Sequence, residues 1–283
     1  MEYTRIEVSP ISGACGAEIS GIDLAEPLDN ETFSEVHQAF LDNQVIFFRE
    51  QNITPDQHLA FGKRFGQLNI HPQYEPVPGY PEILPIVKEP TDLDNIGDTW
   101  HSDVTFLEKP PLGSILYALE VPPAGGDTMF ANQYLAYESL SDGMRAMLDR
   151  LVAVHSSRIL TDPATAKSRN ESRSTKLRED AKAEEMTTEH PLVRTHPETG
   201  RKSLFINVPF TIRFKDMTEE ESKPLLHFLF EHASRPEFTC RFRWAKGSVA
   251  MWDNRCLQHY ALNDYQGYRR SMHRVTVDGD RPF

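Results

Sequence analysis

Apolar residues recur at helical spacing in two early stretches. Asp29-Asn30 offers a cap for a helix running from Glu31 to Leu41, with Phe33, Val36 and Phe40 on one face. Thr54-Pro55 opens a second helix that carries Leu59, Phe61 and Phe65 and is stopped at Gly66. Between them Val45-Ile46-Phe47-Phe48 is unbroken and predicts a buried strand. From about residue 80 the apolar runs shorten. Ile83–Ile86, Leu112–Leu116, Thr128–Phe130, Leu204–Ile206 and Ser248–Trp252 each predict a strand, several of them set apart by Pro, Gly and Asp. Cys240–Trp244 alternates cleanly, and Lys246-Gly247 offers a hairpin turn into the next strand. Two further helices are expected, Ser141–Val152 and Thr218–Ala233, the latter with Glu219-Glu220-Glu221 at its positive end. Many short strands framed by a few helices predict a mainly β chain, a sandwich or barrel with flanking helices.

One stretch breaks the pattern. Residues 161–189 are dense in Lys, Arg, Glu and Ser and nearly free of large apolar side chains. The composition predicts a solvated helix or loop, and long polar insertions of this kind also serve as lids. No repeat or flexible linker divides the remainder, so residues 1–283 are expected to form a single domain.

Composition narrows the function classes. The chain has 283 residues, 39% hydrophobic and 25% charged, with a net charge of −12 from 30 basic and 42 acidic side chains. An acidic chain repels phosphate backbones, so no nucleic-acid partner is expected. No run approaches the length of a membrane span, and Met1-Glu2-Tyr3-Thr4 shows no secretory pattern. Three cysteines, Cys15, Cys240 and Cys256, are odd in number and far apart in sequence, without a CxxC pair. This pattern predicts a reducing, cytoplasmic setting.

The chemistry centres on Trp100-His101-Ser102-Asp103. In a strand, His101 and Asp103 leave the same face, offering an imidazole and a carboxylate to one metal. Two histidines and a carboxylate on one triangular face suit iron(II) oxygenases, and also catalytic zinc. Alone, the pair reads equally as an ordinary hydrogen bond. Near the C-terminal end, the segment Val249–Ala261 reads as a strand, a turn and then a histidine, His259. A later strand places Arg270, Met272 and Arg274 on one face. Inward-facing arginines call for anions, whereas an edge strand would leave them in water.

Taken together, Gly125-Gly126-Asp127-Thr128, His190-Pro191-Leu192-Val193, Trp252-Asp253-Asn254-Arg255, and His259 followed by Arg270 resemble the taurine dioxygenase and aryloxyalkanoate dioxygenase family. The resemblance runs from Gly16 to Pro282. It implies a double-stranded β-helix, the cupin-like jelly roll, and an enzyme dependent on Fe(II), 2-oxoglutarate and O2. His101, Asp103 and His259 match the iron ligands. Arg270 matches the arginine that grips the far carboxylate of 2-oxoglutarate, and Thr128 a hydroxyl that bonds the same molecule. Arg274 matches the arginine for the anionic end of the primary substrate, with His71, Tyr74 and Phe210 as pocket residues. The implied reaction oxidises 2-oxoglutarate to succinate and CO2 and hydroxylates a small organic anion: a sulfonate such as taurine, a sulfate ester, or an aryloxyalkanoate. The other readings are a non-catalytic anion-binding jelly roll and a zinc hydrolase. Family analogy predicts a homo-oligomer, a dimer or tetramer. Gly97 stands where the taurine enzymes have an asparagine for the substrate amine. Taurine is therefore expected to be a poor substrate, and Gly97→Asn is expected to shift preference toward it.

Overall fold

The computed structural model describes residues 3–71, 74–162, 172–175 and 184–283. Two sheets face each other. The larger contains β1 (Glu7–Pro10), β2 (Ala17–Ser20), β3 (Val45–Phe48), β4 (Ile83–Lys88), β5 (Gly113–Glu120), β13 (Val249–Asp253) and β15 (Arg270–Val277). Its order is β1-β2-β3-β13-β5-β15-β4, antiparallel except for the β2–β3 pair. The smaller contains β6 (Thr128–Asn132), β12 (Thr239–Phe242) and β14 (Leu257–Ala261), with β6 central. The described strands form a jelly-roll sandwich rather than a closed barrel, and the mainly β expectation holds.

The unbroken apolar run of β3 follows from burial on both faces. Val45 and Phe47 point between the sheets with Leu116, Ala250, Trp252 and Met272, against Phe130, Phe242 and Leu257. Phe47 stacks on Phe242 with ring centroids 3.9 Å apart. Ile46 and Phe48 point the other way, into a second core with Val36, Phe40, Leu59 and Phe61. Those four come from α1 (Asn30–Asn43) and α2 (Pro55–Lys63), which cover the outer face of the large sheet. Each such side chain contributes about 1.5–3 kcal/mol when fully buried. Both helices start as their sequences predict. The Asp29 side chain accepts from Thr32 N, and Thr54 forms a capping box with Gln57 ahead of Pro55.

A third core lies beside the sandwich, where Leu148, Ala153, Leu192, Leu204, Phe214, Leu226 and Leu229 meet. It is built on β7 (Val152–Ser156), β8 (Thr187–Pro191), β9 (Val193–Thr195), β10 (Lys202–Leu204), β11 (Thr211–Phe214) and the helix Glu219–Ala233.

Several expectations are corrected. The helix expected over Ser141–Val152 spans Asp142–Leu148, and Val152 instead begins β7, where Ala153 and Val154 are buried. The strand expected over Leu204–Ile206 ends at Leu204. Lys246-Gly247 is a turn but not a hairpin: β12 pairs with β6 in the small sheet, while β13 pairs with β3 and β5 in the large one. The chain crosses between sheets there, and Gly247 takes φ +80°. The polar insertion at 161–189 falls largely outside the described residues, as does its reading as a lid. Its last residues, from Thr187, are in β8 rather than a solvated helix. Cys15 and Cys240, distant in sequence, bring their Sγ atoms within 3.5 Å. No helix among the described residues is long and apolar enough to cross a membrane.

The His58 and His155 imidazoles are buried. Burial pushes His58 and His155 down to about 3, with His190 adding to the shift at His155. In the unfolded chain both take a proton below about pH 6.5. Their contribution is therefore intact above pH 6.5 and is lost as pH falls toward 3, by about 1.4 kcal/mol per pH unit per imidazole. Urea unfolding should show lower stability at pH 5 than at pH 7, and the drop should shrink in His155→Gln. An undiminished drop in that variant would exclude His155 as a source.

Candidate active site

The two histidines meet through their backbones. His259 lies in β14, opposite Phe130 of β6. His101 forms an isolated antiparallel bridge with it: His101 N donates to His259 O at 3.1 Å and His259 N to His101 O at 2.7 Å. Their ring centroids are 4.1 Å apart. His101 Nδ1 lies 2.7 Å from Thr99 O. A carbonyl only accepts, so Nδ1 carries the proton and Nε2 keeps its lone pair.

Asp103 joins them by a different route from the one expected. The chain leaves extended geometry after the His101 bridge, and Asp103 begins a turn in which Val104 has φ +40°. A β-branched residue in that region is strained by about 1–3 kcal/mol. The turn brings Asp103 Oδ1 to 4.0 Å from His101 Nε2 and 3.8 Å from His259 Nε2. Potential ligand atoms of the three residues all lie within 4.8 Å of one another.

The carboxylate is held from behind. Its Oδ2 accepts from Ser114 Oγ at 2.8 Å and Asn254 Nδ2 at 3.2 Å. Asn254 Oδ1 accepts from Asp103 N and from Trp252 Nε1, which settles which end of the amide points where. Oδ1 thus faces the imidazoles, and Arg274 Nη1 also donates to it at 3.0 Å. Burial by itself would raise the Asp103 pKa. Arg274 and the two imidazoles outweigh this and hold the carboxyl well below its usual range. Burial lowers the pKa of both histidines, and at His259 the neighbouring His101 adds to it. Two neutral imidazoles and one carboxylate, with lone pairs converging, form a donor set that fits Fe(II).

Arg270, Thr128 and Trp244 form a second group. Arg270 is 5% exposed, and its Nε and Nη2 have no hydrogen-bond partner among the described residues. Its guanidinium lies 5.7 Å from the Trp244 ring, and Trp244 Nε1 donates to Thr128 Oγ1 at 3.0 Å. Thr128 follows a turn in which Gly125 and Gly126 take φ +79° and +71°, and a Cβ on Gly125 would stand 2.7 Å from Asp264 Oδ1. A buried guanidinium with orphaned N–H groups is costly unless an anion meets it. The planar fork fits the far carboxylate of 2-oxoglutarate.

Beside the three-residue cluster, a cavity of about 120 Å³ is lined by residues including His71, Tyr74, His101, Asp103, Phe210 and Arg274. All six are residues that the sequence places in the site. The His71 and Tyr74 rings lie 5.0 Å apart. Burial, then Arg274, push His71 down to about 3, so it is a neutral ring at pH 7. Gly97 lines the same cavity at φ +85°, and a Cβ there would meet His101 Cε1 at 3.0 Å. The residue is therefore more than a missing amide: its backbone conformation and its closeness to His101 both call for glycine. This corrects the expectation that Gly97→Asn would simply change substrate preference.

Asn254 and Ser114 were not foreseen as groups holding Asp103, although Asn254 lies in the quoted Trp-Asp-Asn-Arg run. Arg173, also in the cavity wall, gave no signal beyond a polar stretch. His196, Asp253 and Cys256 form another close group. There Arg255 Nη2 lies 2.7 Å from Asp253 Oδ2 and His196 Nε2 3.0 Å from it. The carboxylate is already neutralised, and the cluster pins the turn between β13 and β14.

The family described as "Taurine catabolism dioxygenase TauD, TfdA family" matches residues 7–276. An alkylsulfatase of Acinetobacter baylyi is 37% identical over 278 residues, 98% of this chain and 86% of the relative. An alpha-ketoglutarate-dependent sulfate ester dioxygenase of Pseudomonas putida is 38% identical over 282 residues, 98% and 91% of the two chains. The crystal structure of a taurine dioxygenase from Burkholderia xenovorans superposes with a TM-score of 0.81 at 40% identity, covering 99% of this chain and 93% of that one. With its jelly roll, its His-Asp-His cluster and its buried Arg270, two of whose donors are unpaired among the described residues, this chain belongs to the TauD/TfdA family and is an Fe(II)- and 2-oxoglutarate-dependent dioxygenase.

Proposed function

We propose that the protein oxidises an organic sulfate ester at the carbon bearing the sulfate, with sulfonates as secondary substrates. The observation that carries this reading is the two-sided cavity. Arg274 stands at its polar end beside His101 and Asp103, while Val104, Ile159, Pro209 and Phe210 supply apolar walls. Ile159 and Pro209 also border a groove of about 830 Å³, room for an alkyl tail. The similarity to an alkylsulfatase and a sulfate ester dioxygenase supports the same class. The cytoplasm is the proposed location, supported by three free cysteines, two of them 3.5 Å apart.

Each residue has a task. His101, Asp103 and His259 hold Fe(II). Ser114 and Asn254 hold Asp103 Oδ2, so that Oδ1 faces the two imidazoles. Arg270 and Thr128 orient 2-oxoglutarate from its far end. Arg274 orients the sulfate, and His71, Tyr74 and Phe210 close the pocket around it. Iron, 2-oxoglutarate and O2 together supply the oxidising chemistry, with succinate and CO2 as by-products. Hydroxylation of R–CH2–OSO3⁻ gives R–CH(OH)–OSO3⁻, whose C–O bond to sulfate breaks to release an aldehyde and hydrogen sulfate.

Alanine at His101, Asp103 or His259 should abolish turnover and weaken Fe(II) binding by more than about 100-fold, because three ligands leave no spare. Asp103→Glu should fail too, since an added methylene moves the oxygen off its mark. Anaerobic iron titration checks this, and a variant that binds iron normally is not a ligand variant.

Arg270 and Arg274 are four residues apart on one face of β15, ~13 Å along the strand, too far to grip one small anion. Arg270→Ala should chiefly raise the KM for 2-oxoglutarate and Arg274→Ala that for the sulfate ester, each by about 2–5 kcal/mol of lost binding. Equal effects on both KM values would remove the division of labour.

Taurine should be turned over less efficiently than hexyl sulfate, scored by coupled succinate formation. Gly97→Asn should lower turnover on both, by pressing on His101. A wild-type preference for taurine would overturn the substrate reading and leave the iron site standing.

A further inference from the structure

We infer that Arg173 is a second anion-binding residue of the substrate cavity, one that selects a three-oxygen sulfate or sulfonate head over a carboxylate. The inference rests on the proposed substrate class and deepens it.

Arg173 and Arg274 line the same cavity of about 120 Å³. The Arg173 side chain is 12% exposed, and its buried Nε finds no hydrogen-bond partner among the described residues. Among the described residues its ion-pair partner is Asp98 Oδ1, 3.9 Å from Nη2, beyond hydrogen-bond distance. Arg274 donates to Asp103 Oδ1 at 3.0 Å through Nη1, and its own buried Nε likewise has no hydrogen-bond partner among the described residues. The cavity therefore holds one guanidinium tied through Nη1 to the cluster of His101, Asp103 and His259 and a second near Asp98, each with an Nε donor unused among the described residues. A largely buried guanidinium with an unused N–H is costly unless an anion meets it.

The backbone around Arg173 is fastened. Ser172 Oγ donates to Asp94 Oδ2 at 2.8 Å. Ser174 donates to both oxygens of Asp92, through its N at 2.9 Å and its Oγ at 2.8 Å. Thr175 Oγ1 accepts from Val87 N and donates to Val87 O, both at 3.0 Å. These bonds tie Ser172–Thr175 to β4 and to the loop that follows it. With both flanking residues anchored, the Arg173 side chain is held at the cavity wall, not carried there by a free loop.

The chemistry sets the preferred ligand. A sulfate monoester or a sulfonate presents three terminal oxygens and can accept from two guanidinium groups at once. A carboxylate presents two, and one bidentate guanidinium satisfies both. Two arginines in one small cavity thus favour the three-oxygen head.

The test uses the full-length iron enzyme and two substrates, hexyl sulfate and 2,4-dichlorophenoxyacetate. Arg173→Gln should raise the KM for hexyl sulfate about 10- to 100-fold, change that for the carboxylate substrate much less, and leave the KM for 2-oxoglutarate unchanged. Arg173→Lys, which keeps the charge but not the fork, should recover part of the loss. An unchanged hexyl sulfate KM, an equal rise for both substrates, or a matching rise for 2-oxoglutarate would each overturn the role. Calorimetric binding of hexyl sulfate to wild type and Arg173→Gln decides the matter without turnover: weaker binding in the variant supports the role and equal binding overturns it. A wild-type enzyme that binds hexyl sulfate but does not oxidise it would sink the proposed function and leave this assignment to the binding result.

Discussion

The site depends on a pair of backbone hydrogen bonds between His101 and His259, 3.1 and 2.7 Å long. This bridge joins a loop to the middle of β14 and sets two imidazoles side by side. Each ring is buried, which favours its neutral form, and neutral imidazole is the form that binds iron. The cost of burying a carboxylate beside them is offset by Arg274 and by hydrogen bonds to its outer oxygen. The strained turn at Val104 is part of the same arrangement, since it swings Asp103 toward the rings instead of along a strand.

The jelly roll makes that bridge possible. The tightly packed inner faces, with Phe47 stacked on Phe242, fix the distance between the two sheets. Asn254, at the end of β13 in one sheet, can then hold Asp103, while His259 in β14 of the other faces the same point. The cluster of Asp253, Arg255, His196 and Glu198 locks the turn that connects them. A buried ion pair of this kind adds little net stability, but removing one member strands a charge. Its value lies in geometry.

Charge is divided across the site by position. Arg270 lies deep beside Trp244, Arg274 touches the cluster itself, and Arg173 stands at the wall of the cavity next to it. In a chain of net charge −12 these are concentrated exceptions.

Much of this was legible in the sequence because it is local or motif-borne. Helical spacing and caps located α1 and α2, the all-apolar run located β3, and the spaced His101, Asp103, His259 and Arg270 pointed to the chemistry through their resemblance to a family. Other features rest on contacts across long stretches of chain, and no local pattern encodes those. The Lys246-Gly247 turn looks like a hairpin, yet the pairing of β12 with β6 and of β13 with β3 and β5 sends its two arms into different sheets. Which oxygen of Asp103 faces the histidines is decided by Asn254, 151 positions away, and Arg274, 171 positions away. Arg173 sits in a polar run that composition marks only as solvated, and its place at the cavity comes from Ser174 bonding to Asp92, 82 positions away. The sequence by itself located α1, α2 and β3 and marked His101, Asp103, His259 and Arg270 as candidates for the chemistry. The tertiary structure alone decided their facing and their partners, because those follow from how the two sheets pack.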